Sequence, residues 1–552
     1  MNYKAETEHQ TNKKYQYLMG GACVLLLLIL EWFYFRERLN LTDLFGDFGD
    51  GKFCSITTEH WFRFIRGKES FSSINMFYPT KGTLAYSDML FMYAPLYCLL
   101  RVFGVDMFLS YKITLIGIHL IGTFAMAWFL RKYIACSPLA TMVGTVIFAY
   151  ANPYITSEHT QLYAYFLVPV LLCTFFGFLR NGEQKKKRIP YGLISVVLLA
   201  GIFYTSFYIG YFMVVFLMVW GAILLLRMIV LRDGSFSKCL AYVKQTWKMW
   251  CVYGALTLLC MIPFLLIELP IMKEFGGRDW SIVCAGTPKL SMIFRVHTGN
   301  FMNQIFSMFS DNLGGEYTEG FGIFTIVCLF AFLIYKGLKK EWDLIWTVGL
   351  AILGSILIIV QWKEGVSIWY VAYRFLPGAS AIRMSIRFLM FLNLPLGIFF
   401  GSLWTDWEKK GKEATYQRGI CYAATVVFLL QFVWTGSHMS MWNRPGEIAM
   451  VEEVPNPPAD CQVMFCDNIP DQENFFSCIY WDLSANLIAN RYDLKCINGY
   501  SGQIPKGLVD FYIMGRKNYH EILKKWSKQN QLQGVYGYDV TNHQWIKLEV
   551  DS

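Results

Sequence analysis

Charge is scarce in this sequence. Only 16% of its 552 residues are Asp, Glu, Lys or Arg, against about 25% in an average soluble domain. Without that polar surface a soluble globule of this size is excluded. In its place stand 55% hydrophobic and 17% aromatic residues, and a mean hydropathy of +0.36. Motifs are missing too. There is no GxxxxGK[ST] phosphate loop, no HExxH helix and no CxxC pair, so ATP-driven transport, zincin and thioredoxin-like chemistry have no signature here. No small-residue cleavage site follows the first apolar run, and Glu31, Arg36 and Arg38 crowd its end. A retained anchor is expected rather than a signal peptide.

The charge that exists is organised. The formal net charge of +9 is dispersed over loop after loop, which positive-inside topology explains better than nucleic-acid binding. About eleven spans are expected, over residues 17–35, 108–130, 139–154, 162–179, 189–204 and 208–230, then 250–267, 321–335, 344–360, 385–403 and 420–435. With a cytoplasmic N-terminus, the basic clusters at Arg131-Lys132, Lys185–Arg188, Lys336–Lys340 and Lys409–Lys412 fall on the cytoplasmic side. The polar segments then fall outside. Residues 89–103 are apolar but broken by Pro95; a crossing there would invert everything downstream, so a re-entrant or surface-lying segment is expected.

The chain therefore divides into a membrane helix bundle over 1–436, with a first outer loop at 36–105, and a small extracytoplasmic α+β domain over 437–552. In that tail a strand is expected near Cys461–Cys466, a helix over Tyr519–Gln529, and a hairpin around Thr541–Gln544. Many of the fifteen cysteines sit in apolar runs as small hydrophobes. Cys461, Cys466, Cys478 and Cys496 lie in the polar tail, where bridges of unreadable pairing are open to them.

The chemistry concentrates between Asp43 and Arg101. This segment gathers Asp47, Asp50, Glu59, His60 and Asp88 among aromatics, glycines and prolines, and carboxylates beside a membrane are a functional-site hypothesis. Residues 59–67 suit an amphipathic interfacial helix, with Arg63, Arg66 and Lys68 toward headgroups. Gly49-Asp50, Glu59-His60-Trp61, Phe77-Tyr78-Pro79 and Leu84–Asp88 follow in order. Further on come Ser157-Glu158-His159-Thr160-Gln161, Leu376-Pro377-Gly378 with Ile382-Arg383 and Arg387-Phe388, and Asn498–Gly502 with Pro505.

Taken together these motifs resemble bacterial polytopic proteins of GT-C-type glycosyltransferase architecture, similar to YfhO-like and RgtA-like membrane proteins. The resemblance runs from Gly46 to about the end of the chain. It implies an inverting transferase that moves a sugar from a polyprenyl-phosphate donor in the membrane to a cell-surface glycan, teichoic acid or lipid. It also implies an acidic base in the first outer loop. Asp50 aligns best with that position, and Asp47 is its rival because the Gly-Asp doubling leaves the register ambiguous by three. The alternative role for either is capping a turn beside Gly46, Gly49 and Gly51.

Glu59 and His60 read as a proton shuttle, half a metal site, or a helix start. Asp88 would bind the sugar or a divalent cation, or cap the 89–103 helix. Glu158, His159 and Gln161 occupy an outer tip where a second acidic group is expected of such enzymes. Arg383 and Arg387, four apart on one helical face, suit a phosphate cradle or lipid snorkelling. His297, Asp311 and Glu316 are unassigned candidates. No cofactor is required by any motif. A flippase of lipid-linked glycans or an inactive scaffold are the rival readings, though the ionisable residues cluster at the outer surface rather than at mid-membrane depth.

Overall fold

Long apolar runs without competing polar side chains fold as helices, because the lipid phase demands internally satisfied backbones. The computed structural model describes residues 2–151, 158–180, 185–232, 234–296, 317, 320–410, 415–430, 432, 442–509 and 519–549. Helix dominates them, as expected. Among the described residues seven helices are long and apolar enough to cross a membrane: Leu18–Arg38, Met107–Ile134, Thr160–Arg180, Arg188–Thr205, Phe207–Leu231, Ser235–Phe275 and Ser385–Lys409. Four other expected spans are shorter helices. Pro138–Tyr150 has 13 residues, and Ile323–Leu338, Leu344–Ile359 and Thr415–Leu430 have 16 each.

The bundle closes tightly where Pro138–Tyr150 crosses Phe388–Lys410. A Cβ on Gly144 would lie 2.4 Å from the Gly397 carbonyl oxygen, and one on Gly397 would lie 2.4 Å from that of Gly144. Only glycine on both helices permits this approach, the small-residue packing that joins helices where lipid removes the hydrophobic drive. Buried polar groups add further ties. Glu31 on the first span meets His119 on the second at 2.9 Å, with both side chains buried.

The bundle has two unlike ends. Arg180 donates to the carbonyls of Lys132 and Tyr133 at 2.9 and 3.2 Å. Arg227 donates to that of Trp342 at 2.5 Å, and Lys336 pairs with Asp343. These basic helix ends gather away from the first loop, which is anchored to the start of Met107–Ile134 where Lys112 donates to the carbonyls of Asn40 and Asp43.

Residues 89–103 form no helix long and apolar enough to cross a membrane. They fold as a short turn, Phe91–Tyr93, and the helix Ala94–Val102. Twelve helical residues reach about 18 Å, well short of a hydrocarbon core of about 30 Å. The expected interfacial helix is also different. It is the 16-residue helix Asp50–Ile65, buried from Gly51 to Arg63, because the tail packs against it.

That tail is built on a four-stranded sheet in the order Lys495–Cys496, Val463–Asp467, Val535–Asp539, Gln544–Lys547. The first three strands are parallel and the last antiparallel. The helix Tyr519–Gln529 and the hairpin stand where the sequence pattern placed them. The helix Phe475–Arg491 was not anticipated. It is buried on several sides at once, through Ile479 and the run Asp482–Ala489, so its sequence has no amphipathic stripe. Cys461 and Cys496 are buried thiols that donate to the carbonyls of Val463 and Asn498.

First loop and tail interlock. Tyr78 N–H donates to the Cys496 carbonyl at 2.9 Å, Trp526 Nε1 to the Tyr78 carbonyl at 2.9 Å, and Asn75 Nδ2 to the Leu494 carbonyl at 2.9 Å. Lys52, fully buried, reaches Glu447 and Ser484 at 2.7 Å each. Residues from both segments share one hydrophobic core.

Candidate active site

A cavity of about 430 Å³ opens where the first loop, the tail and the adjoining helix ends converge. Its polar wall carries Asp50, Asp88, Gln161, Arg278, Arg383 and Arg387. Its apolar wall comes from Phe203, Phe207, Phe264 and Met272 on three membrane helices.

Asp50 is the first residue of its helix, where the macrodipole favours an anion. The turn before it is very tight. Gly46 has φ +77°, and a Cβ there would stand 2.7 Å from Gly51 Cα. Asp47 fills the capping role, since its Oδ1 accepts from Gly49 N–H at 3.0 Å and Gly51 N–H at 3.2 Å. Asp50 is left to face the cavity, with its side chain 31% exposed. Its Oδ2 lies 3.1 Å from His159 Nδ1, and Tyr500 OH donates to Oδ1 at 3.4 Å.

The two aspartates titrate apart. Burial pushes the Asp50 carboxyl up, but the His159 hydrogen bond and charge, the Arg387 charge and the Tyr500 bond together hold it below the usual range. Burial and the neighbouring Asp50 charge raise Asp47, and the Gly51 amide only partly offsets them. At neutral pH the cavity therefore carries Asp50 as a carboxylate.

Asp88 sits on an extended stretch and caps a helix from a distance. It accepts from Phe207 N–H at 2.8 Å and from Ser206 Oγ at 3.4 Å, so the helix it caps is Phe207–Leu231 rather than its own. Burial pushes its carboxyl up to about 6, against the pull of the Phe207 amide and Arg387. Gln161 accepts from Cys54 Sγ at 3.6 Å and turns its side chain to the cavity.

The cationic side is built from two loops. Arg387 is only 5% exposed, its guanidinium 5.3 Å from the centre of the Tyr208 ring. The Tyr208 hydroxyl accepts from Arg383 N–H at 3.0 Å, which fixes the approach to that turn. Arg278 donates to the Gly502 carbonyl at 3.5 Å, and burial lowers its pKa. Planar guanidinium groups converging on one space are the geometry that recognises phosphate.

On the lipid side, Glu268 lines the cavity from the long helix Ser235–Phe275. One turn earlier that helix is wedged open. The Tyr204 hydroxyl donates to the Cys260 carbonyl at 3.0 Å and accepts from Phe264 N–H at 2.8 Å, beside Pro263. A side chain inserted in the backbone ladder is a recognised cause of helix bending.

Glu59 and His60 lie elsewhere. Glu59 accepts from Tyr97 OH at 2.5 Å and from Arg101 at 2.9 and 3.0 Å. His60 Nδ1 is 2.6 Å from Glu69. Neither lines this cavity, nor does Glu158. Among the described residues no group of three or more His, Cys, Asp or Glu stands close enough to hold a metal ion. His297, Asp311 and Glu316 lie outside the described residues. Sequence reasoning did not single out Arg278, Glu268, Tyr208 or Tyr500 as site residues. Glu268 and Arg278 carried a usable signal, as charges that follow the end of the apolar run 250–267.

No family model matches the chain, and no curated protein matches it. Among solved structures it is similar to the archaeal oligosaccharyltransferase AglB from Archaeoglobus fulgidus, in complex with an inhibitory peptide and a dolichol-phosphate. That likeness has 10% identity and a TM-score of 0.48, covering 93% of this chain and 69% of that one. It is also similar to ArnT from Cupriavidus metallidurans. The apo state gives 12% identity, TM-score 0.38, and coverage of 96% and 94%. The form bound to undecaprenyl phosphate gives 12%, 0.36, and 94% and 93%.

Proposed function

We propose that this protein is a multi-pass membrane glycosyltransferase that moves a sugar from a polyprenyl-phosphate donor to an acceptor at the extracytoplasmic face, with its N-terminus in the cytoplasm. One observation carries the reading. A carboxylate relieved of capping duty, Asp50, faces the same cavity as Arg278, Arg383 and Arg387, and that cavity is walled by aromatics of membrane helices. The apolar wall suits a polyprenyl chain and the guanidinium groups suit its phosphate. In the proposed step the acceptor hydroxyl oxygen bonds to the sugar C1 as the C1–O bond to phosphate breaks. Asp50 takes the hydroxyl proton, and the arginines meet the charge that develops on the departing lipid phosphate. His159 and Tyr500 orient the carboxylate; Gln161 and Asp88 offer hydrogen bonds to the sugar.

The acceptor is a glycan, teichoic acid or lipid hydroxyl, reached from the side that the tail closes with Tyr500 and Gly502. The test is transfer of a labelled sugar from a polyprenyl-phosphate donor to membrane extract by the purified protein. Transfer that persists in the Asp50→Asn, Asp47→Asn double variant overturns the base assignment. Lipid translocation without transfer overturns the enzyme reading in favour of a flippase.

A further inference from the structure

A second cavity, of about 450 Å³, lies at the far end of the helix that begins with Asp50. Sixteen residues of helix separate Asp50 from Arg66, about 24 Å along the axis. The new groove is therefore distinct from the active-site cavity, and no residue lines both. Its floor includes Phe62 together with Met107 and Phe108, the first residues of a membrane span. That places the groove at the level where a span begins.

The surface beside it is apolar. Ile65 is 68% exposed, and on the packed neighbouring helix Leu99 and Val102, with Phe103 just beyond, are 53%, 73% and 77% exposed. Large side chains left bare on two adjoining elements mark contact with lipid.

The rim is cationic, and most of its charges are already answered. Arg101 holds Glu59, Arg63 holds Glu69 and Asp493, Lys68 reaches Asp493, and Glu447 is taken by Lys52. Two guanidinium groups are not answered by a carboxylate among the described ion pairs. Arg66 stands 5.7 Å from the Phe62 ring centre, and Arg491 donates to the Val451 carbonyl at 2.7 Å. Against them stands Glu452, which has no partner among the described ion pairs. The balance is two positive against one negative, which leaves the groove with room for a single negative charge.

We propose that this groove seats the phosphodiester headgroup of an anionic phospholipid. Arg66 and Arg491 meet the phosphate, and the acyl chains descend past Leu99, Val102 and Phe103. A phosphodiester carries the one negative charge the groove lacks, and the bare apolar surface supplies what a soluble phosphate would not use.

Native mass spectrometry of the full protein in neutral detergent, offered equal phosphatidylglycerol and phosphatidylcholine, tests this. The wild type should retain phosphatidylglycerol about fivefold over phosphatidylcholine, from roughly 1 kcal/mol for the one unbalanced positive charge near the headgroup. The Arg66→Gln, Arg491→Gln double variant should lose that preference, and Glu452→Gln should increase it. Equal retention of both lipids by the wild type, or a preference that survives the double variant, overturns the proposal. So does an equal loss in Lys409→Gln at the basic end of the bundle, which would assign retention to bulk charge. Glycerophosphoglycerol, the deacylated headgroup, carries the same singly charged phosphodiester without chains; if it displaces the lipid at equal concentration, the ligand is a soluble phosphodiester and the lipid assignment fails. Transfer activity enters none of these readouts, so the outcome is independent of the proposed function.

Discussion

His159 and Asp50 are 109 positions apart in the chain and meet at 3.1 Å. The contact ties the tip between two membrane helices to the first turn of the first-loop helix. It gives the Asp50 carboxylate a donor on Oδ2 while Tyr500 approaches Oδ1. Three separate parts of the chain thus set the orientation of one side chain.

Asp50→Asn should lower the sugar-transfer rate by about 10²-fold or more, the usual contribution of a positioned base. Asp47→Ala should act differently. It removes a cap, which is worth about 1 kcal/mol of stability, and should lower the melting temperature while its transfer rate stays well above that of Asp50→Asn. Rates and melting curves of the two variants, measured side by side, separate the roles.

Arg387→Lys keeps the charge and removes the planar fork. If the buried guanidinium grips the donor phosphate, kcat/KM for the lipid donor should fall about 10-fold or more, the cost of a lost charged hydrogen bond. KM for the acceptor should stay unchanged. Steady-state kinetics with each substrate varied in turn reads the difference, and equal losses on both would place Arg387 outside the donor site.

Asp88 makes stability depend on pH in a stated direction. Its carboxyl is raised from 3.8 to about 6 in the folded protein. The folded state therefore binds the proton more tightly than the unfolded chain. The resulting stabilisation is complete below about pH 4 and is lost as pH rises through about 6. Asp88→Asn lacks this proton, and its amide oxygen still accepts from Phe207 N–H. Relative to that variant, wild type should lose melting temperature between pH 4.5 and 7 and hold a constant offset above. A flat difference over that range would show that Asp88 is not buried as described.

Gly397→Leu should break the helix crossing at Gly144. A side chain there meets backbone at 2.4 Å, and overpacking of this kind costs about 1–3 kcal/mol. Monodisperse protein recovered in detergent should drop sharply. Gly254→Leu, on a helix surface with nothing within 4 Å of the added Cβ, should be recovered like wild type.

How legible this was in the sequence depended on the range of the interaction. Span positions follow from local composition, so the helices appear where the apolar runs are. Their lengths are another matter. The run ending at Tyr154 reads as a full span, while its described helix stops at Tyr150 after 13 residues. In the tail, alternation marked the hairpin, since Tyr538 pairs Trp545 across a single short turn. Asp88 shows the limit. Its spacing suggested a cap for the helix that follows it, and the helix it caps begins 119 positions later. Phe475–Arg491 was missed because burial on several sides erases the periodic signal that an amphipathic helix carries.

The interlock of first loop and tail has a consequence for how the protein is made. Its hydrogen bonds join residues more than 400 positions apart, as Lys52 to Ser484 and Arg63 to Asp493 show. During synthesis the segment around Asp50 emerges early, yet the helix Phe475–Arg491 that packs against it is translated more than 400 residues later. Every intervening helix must be inserted before that core can close. The wait leaves Phe48, Phe53 and Phe77 without the tail residues that pack on them for tens of seconds, at roughly 5–20 residues per second. A chain truncated before Phe475 would keep all of the membrane helices described here and still leave the candidate active site without its outer wall.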